Sequence, residues 1–128
     1  MQKIEFIPDH EIEIYFKAAD VAVLPYTDIF QSGILFLAYA YGLPVIATDV
    51  GSFAEDILEG RSGFICRPRD PEGLARTIQH YFATDLYADL ERRREEIKTF
   101  AFSRHSWEIV AQMTRDVYSH LLESRSRA

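Results

Sequence analysis

The sequence predicts an α/β fold: a partial, Rossmann-like parallel sheet of about four strands flanked by helices, with a helical C-terminal extension. Three observations lead to this prediction. Short apolar runs alternate with segments of helical periodicity, which is the pattern of a parallel sheet built from βα units. The run Val21–Leu24 is apolar throughout, as expected of a strand covered on both faces. After Arg67 the chain shows helical patterns alone.

The first two strands are predicted from short apolar segments that end at prolines. Lys3–Ile7 is predicted to be a strand ended by Pro8, and Asp9 is predicted to cap the helix that follows it. Val21–Leu24 is predicted to be the next strand. Proline cannot donate a backbone hydrogen bond, so it is a natural end for a strand.

The middle of the chain, residues 31–51, is the segment around which the fold is predicted to be organised. It is interpreted as a helix from about Gly33 to Tyr41, a Gly42–Pro44 break and the strand Val45–Thr48. Ser52 and Glu55 then have the spacing of a capping box, which predicts a short helix that stops near Gly60.

The last strand and the helices after it follow from clear end signals. Gly63–Arg67 is predicted to be the final strand, and Asp70 followed by Pro71 is a strong helix start. Residues 85–100 are so highly charged that they are interpreted as a solvated helix. Residues 106–123 carry apolar side chains on one side of a last helix.

The start of the central helix is the candidate binding site. Ser32 and Gly33 leave backbone N–H groups bare there, and a helix N-terminus with unsatisfied donors and a partial positive charge suits an anion. In an open α/β sheet such helix starts line the crevice at the carboxyl ends of the strands. The alternative is that Gly42, Pro44 and Gly51 only punctuate a buried αβ unit.

Composition narrows the possible functions. The chain has 128 residues and a net charge of −6, which suit one domain and argue against nucleic acid as a partner. Cys66 is the only cysteine, and the four histidines have no metal-ligand spacing, so neither a metal nor any other cofactor is expected. The apolar run Ile34–Val50 is interrupted by Gly42 and Pro44, and no signal peptide is visible, so we expect a cytoplasmic protein without a transmembrane segment.

A resemblance to a known family is carried by four segments in order: IPDHEIEIYFKAADVAVLPY, YGLPVIATDVGSFAEDI, EGRSGFICRPRDPEGLA and FSRHSWEIVAQMTRDVY. Together they resemble the C-terminal donor-binding domain of family 4 (group 1) glycosyltransferases of the two-Rossmann-domain, GT-B type. The resemblance implies a single, truncated nucleotide-sugar-binding domain over residues 1–128. It implies retaining glycosyl transfer from a nucleotide-diphosphate sugar, incomplete in this chain alone. The alternative is a non-catalytic module derived from such an enzyme, which oligomerises or binds a nucleotide.

The resemblance also implies three groups of donor-binding residues. The diphosphate would lie on the start of the central helix, at Phe30, Gln31, Ser32 and Gly33. The sugar and the ribose would lie near Asp28, Ile34 and Leu37. The base would lie near Phe6 and Ile7, whose alternative interpretation is ordinary core. No catalytic residue is assigned.

The sequence departs from the family pattern at its paired glutamates. Their positions are occupied by Ile29 and Leu37, so the carboxylate associated with the ribose hydroxyls is missing. The neighbouring Asp28 or Gln31 is the candidate for taking over the sugar contact. The basic residues that neutralise the diphosphate in the family have no counterpart, because Lys3 and Lys17 lie elsewhere.

The resemblance further implies missing parts: the acceptor domain and the first two strands of the donor domain. We therefore expect a separately encoded acceptor-domain chain as a partner. The missing strands would leave Val21–Leu24 as an exposed apolar edge, which predicts a homodimer paired across this edge. The alternatives are that Lys3–Ile7 swaps between chains or closes the edge within one chain.

Overall fold

The structure is a computed structural model that describes residues 4–126. Its centre is a parallel sheet of strands β1 (Ala22–Leu24), β2 (Val45–Thr48) and β3 (Gly63–Cys66), in the order β1-β2-β3. The predicted α/β class and parallel sheet are confirmed, with three strands in the described residues where about four were predicted.

Helices flank the sheet and form the whole C-terminal part of the described chain. Their bounds are α1 (Asp9–Ala18), α2 (Gly33–Ala40), α3 (Phe53–Asp56), α4 (Pro71–Phe82), α5 (Asp85–Ala88), α6 (Leu90–His105) and α7 (Trp107–Ser126). The charged segment predicted as one helix is therefore divided between α5 and α6. The division lies at Asp89, a residue type that is unfavourable inside helices and favoured where one begins.

The N-terminal strand prediction is wrong over the described residues. Lys3 lies outside them, and residues 4–7 form no strand and pair with none. Phe6 is 85% exposed, so its interpretation as core is wrong as well. A strand needs a neighbour to satisfy its backbone groups, and this segment pairs with none of the described strands. Residues 4–7 therefore leave the edge of β1 uncovered.

The predicted helix caps have mixed outcomes. The Asp70 carboxylate accepts a hydrogen bond from the Gly73 N–H at 2.8 Å, which confirms that cap. Asp9 is instead the first residue of α1, because Pro8 occupies the capping position. The capping box at Ser52 is not formed: its φ of −87° and ψ of 1° are not the extended backbone that a capping side chain needs.

Alternate residues of β2 belong to two hydrophobic cores, one on each face of the sheet. Val45 and Ala47 belong to the core that α2, α3 and α6 close with Leu35, Tyr39, Phe53 and Ile97. Ile46 points to the other face and joins the core made with Phe64, Tyr81 and Leu86. The sheet is therefore buried between two helical layers, as the continuous apolar runs predict. Over the described residues, every helix is too short or too polar to span a membrane.

Candidate functional site

The candidate site lies where the strands end. Because β1, β2 and β3 are parallel, their carboxyl ends, Leu24, Thr48 and Cys66, share one edge of the sheet. The loop of residues 25–32 runs from β1 to α2, and the loop of residues 49–52 runs from β2 to α3. Helix α2 therefore begins at the edge where open α/β sheets bind their ligands, as predicted.

Three contacts fix the two loops against each other. The Ser52 N–H donates to the Phe30 carbonyl oxygen at 3.3 Å. Gly51 has a φ of +57°, and a Cβ atom placed on it would lie 2.5 Å from the Phe30 carbonyl oxygen, so the backbones approach more closely than a side chain allows. The Thr48 hydroxyl donates to the Tyr26 carbonyl oxygen at 2.5 Å. The start of α2 is thus held by the loop after β2.

Ser32 is the residue that makes the start of α2 chemically unusual. It occupies the capping position and is 3% exposed, but its side chain makes no cap, and its Oγ atom has no hydrogen-bond partner in the described structure. Beside it, an ideal Cβ atom on Gly33 would meet no atom within 4 Å. The first turn of a helix, a buried hydroxyl without a partner and open space therefore occur together at one place.

Ser52, in the loop of residues 49–52, also has a buried hydroxyl without a partner in the described structure. Sequence reasoning missed this residue because its spacing to Glu55 indicated a cap. It also missed Thr48, whose hydroxyl positions the loop from a buried place at the end of β2. No local signal distinguishes either side chain, because both roles depend on how the loops pack.

The structure brings the predicted diphosphate and sugar residues together. Phe30, Gln31 and Gly33 are exposed around the buried Ser32, and Asp28 is exposed on the same loop. Ile34 is exposed in the first turn of α2, and Leu37 lies half-buried one turn further on the same helix face. Their roles toward a ligand stay predictions.

The predicted base residues are separate from this group in the chain. Phe6 and Ile7 precede α1 on a segment outside the sheet, and Phe6 is exposed while Ile7 is half-buried. Nothing in the arrangement of the described residues tests their role, which also stays a prediction.

The site has donors but no cation of its own. Residues 25–33 and 48–53 contain no lysine or arginine, while Asp28 and Asp49 are exposed there. Lys17 is engaged on α1, where a hydrogen bond from its ammonium group to Glu13 raises its pKa. An anion would be held by N–H and hydroxyl groups, as at other helix starts.

The described residues do not support a metal site or a cysteine nucleophile. The described residues contain no cluster of three or more histidine, cysteine or acidic side chains able to hold a metal ion. The Cys66 thiol is buried, and burial raises its pKa, with Asp70 and Glu59 adding to the effect. A thiol that stays protonated is a poor nucleophile.

Comparison with known proteins decides the family. The family model described as "Glycosyl transferases group 1" matches residues 1–84. The chain belongs to this family. Membership confirms the resemblance carried by the sequence segments. The group 1 chain also has fold neighbours among solved structures. It superposes on sucrose-phosphate synthase from Thermosynechococcus elongatus with a TM-score of 0.79 and 25% identity, over 94% of this chain and 30% of that one.

Two curated relatives match most of the length of this chain. It is 31% identical to D-inositol 3-phosphate glycosyltransferase of Streptomyces avermitilis, over 94% of this chain and 25% of that protein. It is 33% identical to glycogen synthase of Mycobacterium tuberculosis, over 86% of this chain and 26% of that protein. The chain thus spans about a quarter of the length of these curated relatives.

Proposed function

We propose that this group 1 glycosyltransferase chain binds the nucleotide-diphosphate sugar donor for retaining glycosyl transfer. The observation that carries the proposal is the buried, unpartnered hydroxyl of Ser32 at the uncapped start of α2. A buried polar group without a partner costs about 1–3 kcal/mol, so its persistence points to a ligand that supplies the missing partner. Gly33 leaves the space that such a ligand needs.

The first N–H groups of α2 and the Ser32 hydroxyl would donate to the diphosphate oxygens. These contacts stabilise the charge that develops on the leaving diphosphate as the glycosidic bond to it breaks, which is the main electrostatic task in such a transfer. The chain's net charge of −6 opposes the approach of an anion, so short-range donors must supply the attraction. We expect the affinity to weaken with salt only slightly, because no lysine or arginine from either loop takes part.

The sugar and nucleoside contacts would come from the exposed neighbours of this helix start. Asp28 and Gln31, which are exposed, would accept hydrogen bonds from sugar hydroxyls, and the exposed Ile34 would pack beside the ribose. Leu37 cannot accept a hydrogen bond, so the chain forgoes a charged contact to the ribose worth about 1.5–3 kcal/mol. Phe6 and Ile7 remain the residues proposed for the base.

The acceptor part of the reaction would come from another chain or domain. The chain covers about a quarter of its relatives' length, and the β1 edge, where Val23 is 36% exposed, lacks cover from residues 4–7. We expect a strand of the acceptor-carrying partner to pair there, because open edges recruit strands. Homodimer pairing across the same edge stays a prediction. The lone Cys66 is compatible with a reducing cytoplasm as the location.

The test is calorimetric titration of the chain with UDP, GDP and ADP. We expect one of them to bind with micromolar affinity and the Gly33→Val variant to lose binding by at least about tenfold, because the branched side chain fills the space at the helix start. Ala75→Val places the same branched side chain at an exposed position of α4 and serves as the control. Absence of binding by all three nucleotides, or equal binding by Gly33→Val, would contradict the proposal.

A further inference from the structure

Arg94 differs from its neighbours on the charged helix α6. Arg92 is 63% exposed and pairs with acidic side chains near it in sequence, so it belongs to the solvated face that the sequence indicates. The Arg94 side chain is 13% exposed, and it donates to the carbonyl oxygens of Ala19 at 2.7 Å and Tyr41 at 3.5 Å. A buried guanidinium group needs hydrogen-bond partners, and Arg94 has two of them outside its own helix.

Both of these carbonyl groups stand at the end of a helix. Ala19 occupies the C-terminal capping position of α1, and Tyr41 occupies that of α2. The last carbonyl groups of a helix have no N–H group of their own helix to bond, and they carry a partial negative charge. One guanidinium group therefore supplies hydrogen-bond donors and a positive charge to two helix ends at once. We name this arrangement of Arg94, Ala19 and Tyr41 the Arg94 clamp.

Close packing surrounds the Arg94 clamp. Gly42, directly after the end of α2, has a φ of +66°, and a Cβ atom placed on it would lie 2.8 Å from the Arg94 Cα atom. The backbones of Gly42 and α6 therefore approach more closely than a side chain would allow. The rings of Phe16 on α1 and Tyr41 have centroids 5.5 Å apart. The C-terminal ends of α1 and α2 thus meet beside Arg94.

Helix α1 has little burial to hold it in position. None of its ten residues is buried. Phe16 and Ala19, which pack against the core as partly buried residues, lie in or directly after its last turn. A helix held near one end can tilt about that end. The hydrogen bond from Arg94 to the Ala19 carbonyl oxygen opposes such a tilt.

The opposite ends of α1 and α2 carry two parts of the proposed donor site. Helix α2 begins at Gly33, where we propose that the diphosphate binds, and α1 follows Phe6 and Ile7, which are proposed for the base. Ten helical residues extend about 15 Å, so a tilt of about 5° at the Arg94 clamp would displace Ile7 by about 1 Å. Hydrogen-bond lengths vary by about 0.5 Å, so this displacement would be enough to break a contact with a ligand.

We propose that Arg94 is a positioning residue, which sets the separation between residues 6–7 and the diphosphate site at the start of α2. Ala19 precedes β1 and Tyr41 precedes β2, so Arg94 acts from the amino ends of the strands, whereas the site lies at their carboxyl ends. Arg94 therefore touches no part of the donor and acts through the two helices. This inference rests on the proposed function and extends it to the charged helix α6.

The alternative is that Arg94 contributes to stability alone, and ligands of different size distinguish the two roles. A nucleoside diphosphate reaches from the start of α2 to the base residues, whereas inorganic pyrophosphate occupies the diphosphate site alone. Loss of the Arg94 clamp should weaken the ligand that spans both helices and spare the smaller one. A general loss of stability would not distinguish between the two ligands.

The experiment is calorimetric titration of the full chain and its variants with two ligands. One is whichever of UDP, GDP and ADP binds the wild-type protein, and the other is inorganic pyrophosphate, measured directly or by competition. In Arg94→Met we expect at least about tenfold weaker nucleotide binding and a pyrophosphate affinity within about twofold of the wild-type value. Arg92→Met removes an exposed guanidinium group from the same helix and is the matched control, which should keep both affinities.

Amide hydrogen exchange gives a second readout, which needs no ligand. The amides of α1 should exchange at least about tenfold faster in Arg94→Met than in Arg92→Met, while those of β2 and α4 keep the wild-type rate. Arg94→Lys retains the charge and can bond one of the two carbonyl groups, so it should give intermediate values in both measurements. It also replaces Arg94→Met if that variant does not fold.

Ser62→Ala is the control for lost stability. It removes a buried hydrogen-bond partner elsewhere in the core, and it should keep the wild-type affinity for the nucleotide. Equal loss of nucleotide and pyrophosphate binding in Arg94→Met, or loss of neither, would overturn the proposal. Exchange that accelerates in β2 and α4 as much as in α1 would overturn it as well. A wild-type protein that binds none of the three nucleotides would instead refute the proposed function, on which this inference rests.

Discussion

Buried hydroxyl groups have hydrogen-bond partners in the core of the molecule, whereas two of them have none in the described residues at the carboxyl ends of the strands. In the core, the Tyr39 hydroxyl hydrogen-bonds to the Ser62 Oγ atom at 2.8 Å, and the Tyr81 hydroxyl donates to the Asp20 carbonyl oxygen at 2.6 Å. At the carboxyl ends of the strands, the buried Oγ atoms of Ser32 and Ser52 have no partner among the described residues. The hydroxyl groups of the core are therefore satisfied within the fold, whereas two hydroxyl groups have no partner where we propose that a ligand binds.

The difference between paired and unpaired hydroxyl groups allows effects on stability to be distinguished from effects on ligand binding. A core hydroxyl that loses its partner leaves another buried group unsatisfied, whereas removal of an already unpaired hydroxyl leaves nothing new unsatisfied. Substitutions in the two regions should therefore differ in the free energy of unfolding even when the chemical change is the same. Matched serine and cap substitutions test this contrast.

Ser62→Ala should have the largest effect. The Ser62 Oγ atom accepts a hydrogen bond from the Leu58 N–H at 2.9 Å and also bonds to the Tyr39 hydroxyl. Removing it leaves both groups less satisfied in a buried place, and we expect the free energy of unfolding in urea to fall by about 2–3 kcal/mol. Ser52→Ala is the control and should not lower it, because the hydroxyl that it removes is buried and has no partner to lose. Equal losses in the two variants would remove the contrast.

Alkaline pH should lower the stability that the core contributes, and this effect should not depend on the candidate site. Burial raises the pKa of Tyr39 to about 12, with the nearby Asp56 adding to the effect, and burial raises the pKa of Tyr81 as well. Tyrosines in the unfolded chain titrate near their ordinary pKa, so the unfolded state loses protons first as the pH rises. The stability contributed by neutral Tyr39 is complete below about pH 10, the ordinary pKa of tyrosine, and is lost as the pH rises through about 12.

Thermal unfolding followed between pH 8 and 12 measures this effect. We expect Tyr39 to account for a loss of about 2 kcal/mol above its unfolded pKa, with a shallower dependence in Tyr39→Phe. Ser32→Ala should keep the wild-type slope. A flat profile in the wild-type protein would mean that Tyr39 ionises in the folded state as easily as in the unfolded chain.

Local signals explain most of the fold that could be predicted. The strand Val45–Thr48 and the helix that starts after Asp70 are predicted by apolar runs and caps, which act within a few residues. The prediction of an N-terminal strand was wrong because a strand forms only beside a neighbour that is distant in sequence. The capping box was wrong because the backbone of Ser52 follows from the close approach of Gly51 to Phe30, a contact between loops.

The site could be predicted in outline but not in detail. The exposed residues around Ser32 and Gly33 come from the family resemblance and the helix-start pattern, and the structure brings them together. The free hydroxyl of Ser52 and the positioning bond of Thr48 depend on loop packing that no sequence pattern contains. The one-sided pattern of α7 likewise predicted an amphipathic helix without indicating that its apolar face is open.

Asp70→Ala should show what a satisfied helix start contributes. The Asp70 carboxylate accepts from the Gly73 N–H at the start of α4, and loss of such a cap costs about 1 kcal/mol. We expect this reduction in the free energy of unfolding in urea, together with unchanged nucleotide affinity. Asp70→Asn retains a capping oxygen and should recover most of the stability. A larger loss of affinity than of stability would place α4 in the binding site.

Ser32→Ala should cause no loss of stability and reveals the difference most directly. Ser32 occupies the equivalent position of α2, but its hydroxyl caps nothing, so its removal should leave the free energy of unfolding unchanged or raise it, by up to the roughly 1–3 kcal/mol that a buried unpaired hydroxyl costs. If the hydroxyl donates to a bound diphosphate, the same variant should bind the nucleotide about 10–100-fold more weakly, since a hydrogen bond to a charged group contributes roughly 1.5–3 kcal/mol. Ser32→Thr keeps the hydroxyl and should retain affinity. Loss of stability without loss of affinity in Ser32→Ala would make this hydroxyl structural and reverse its contrast with Asp70.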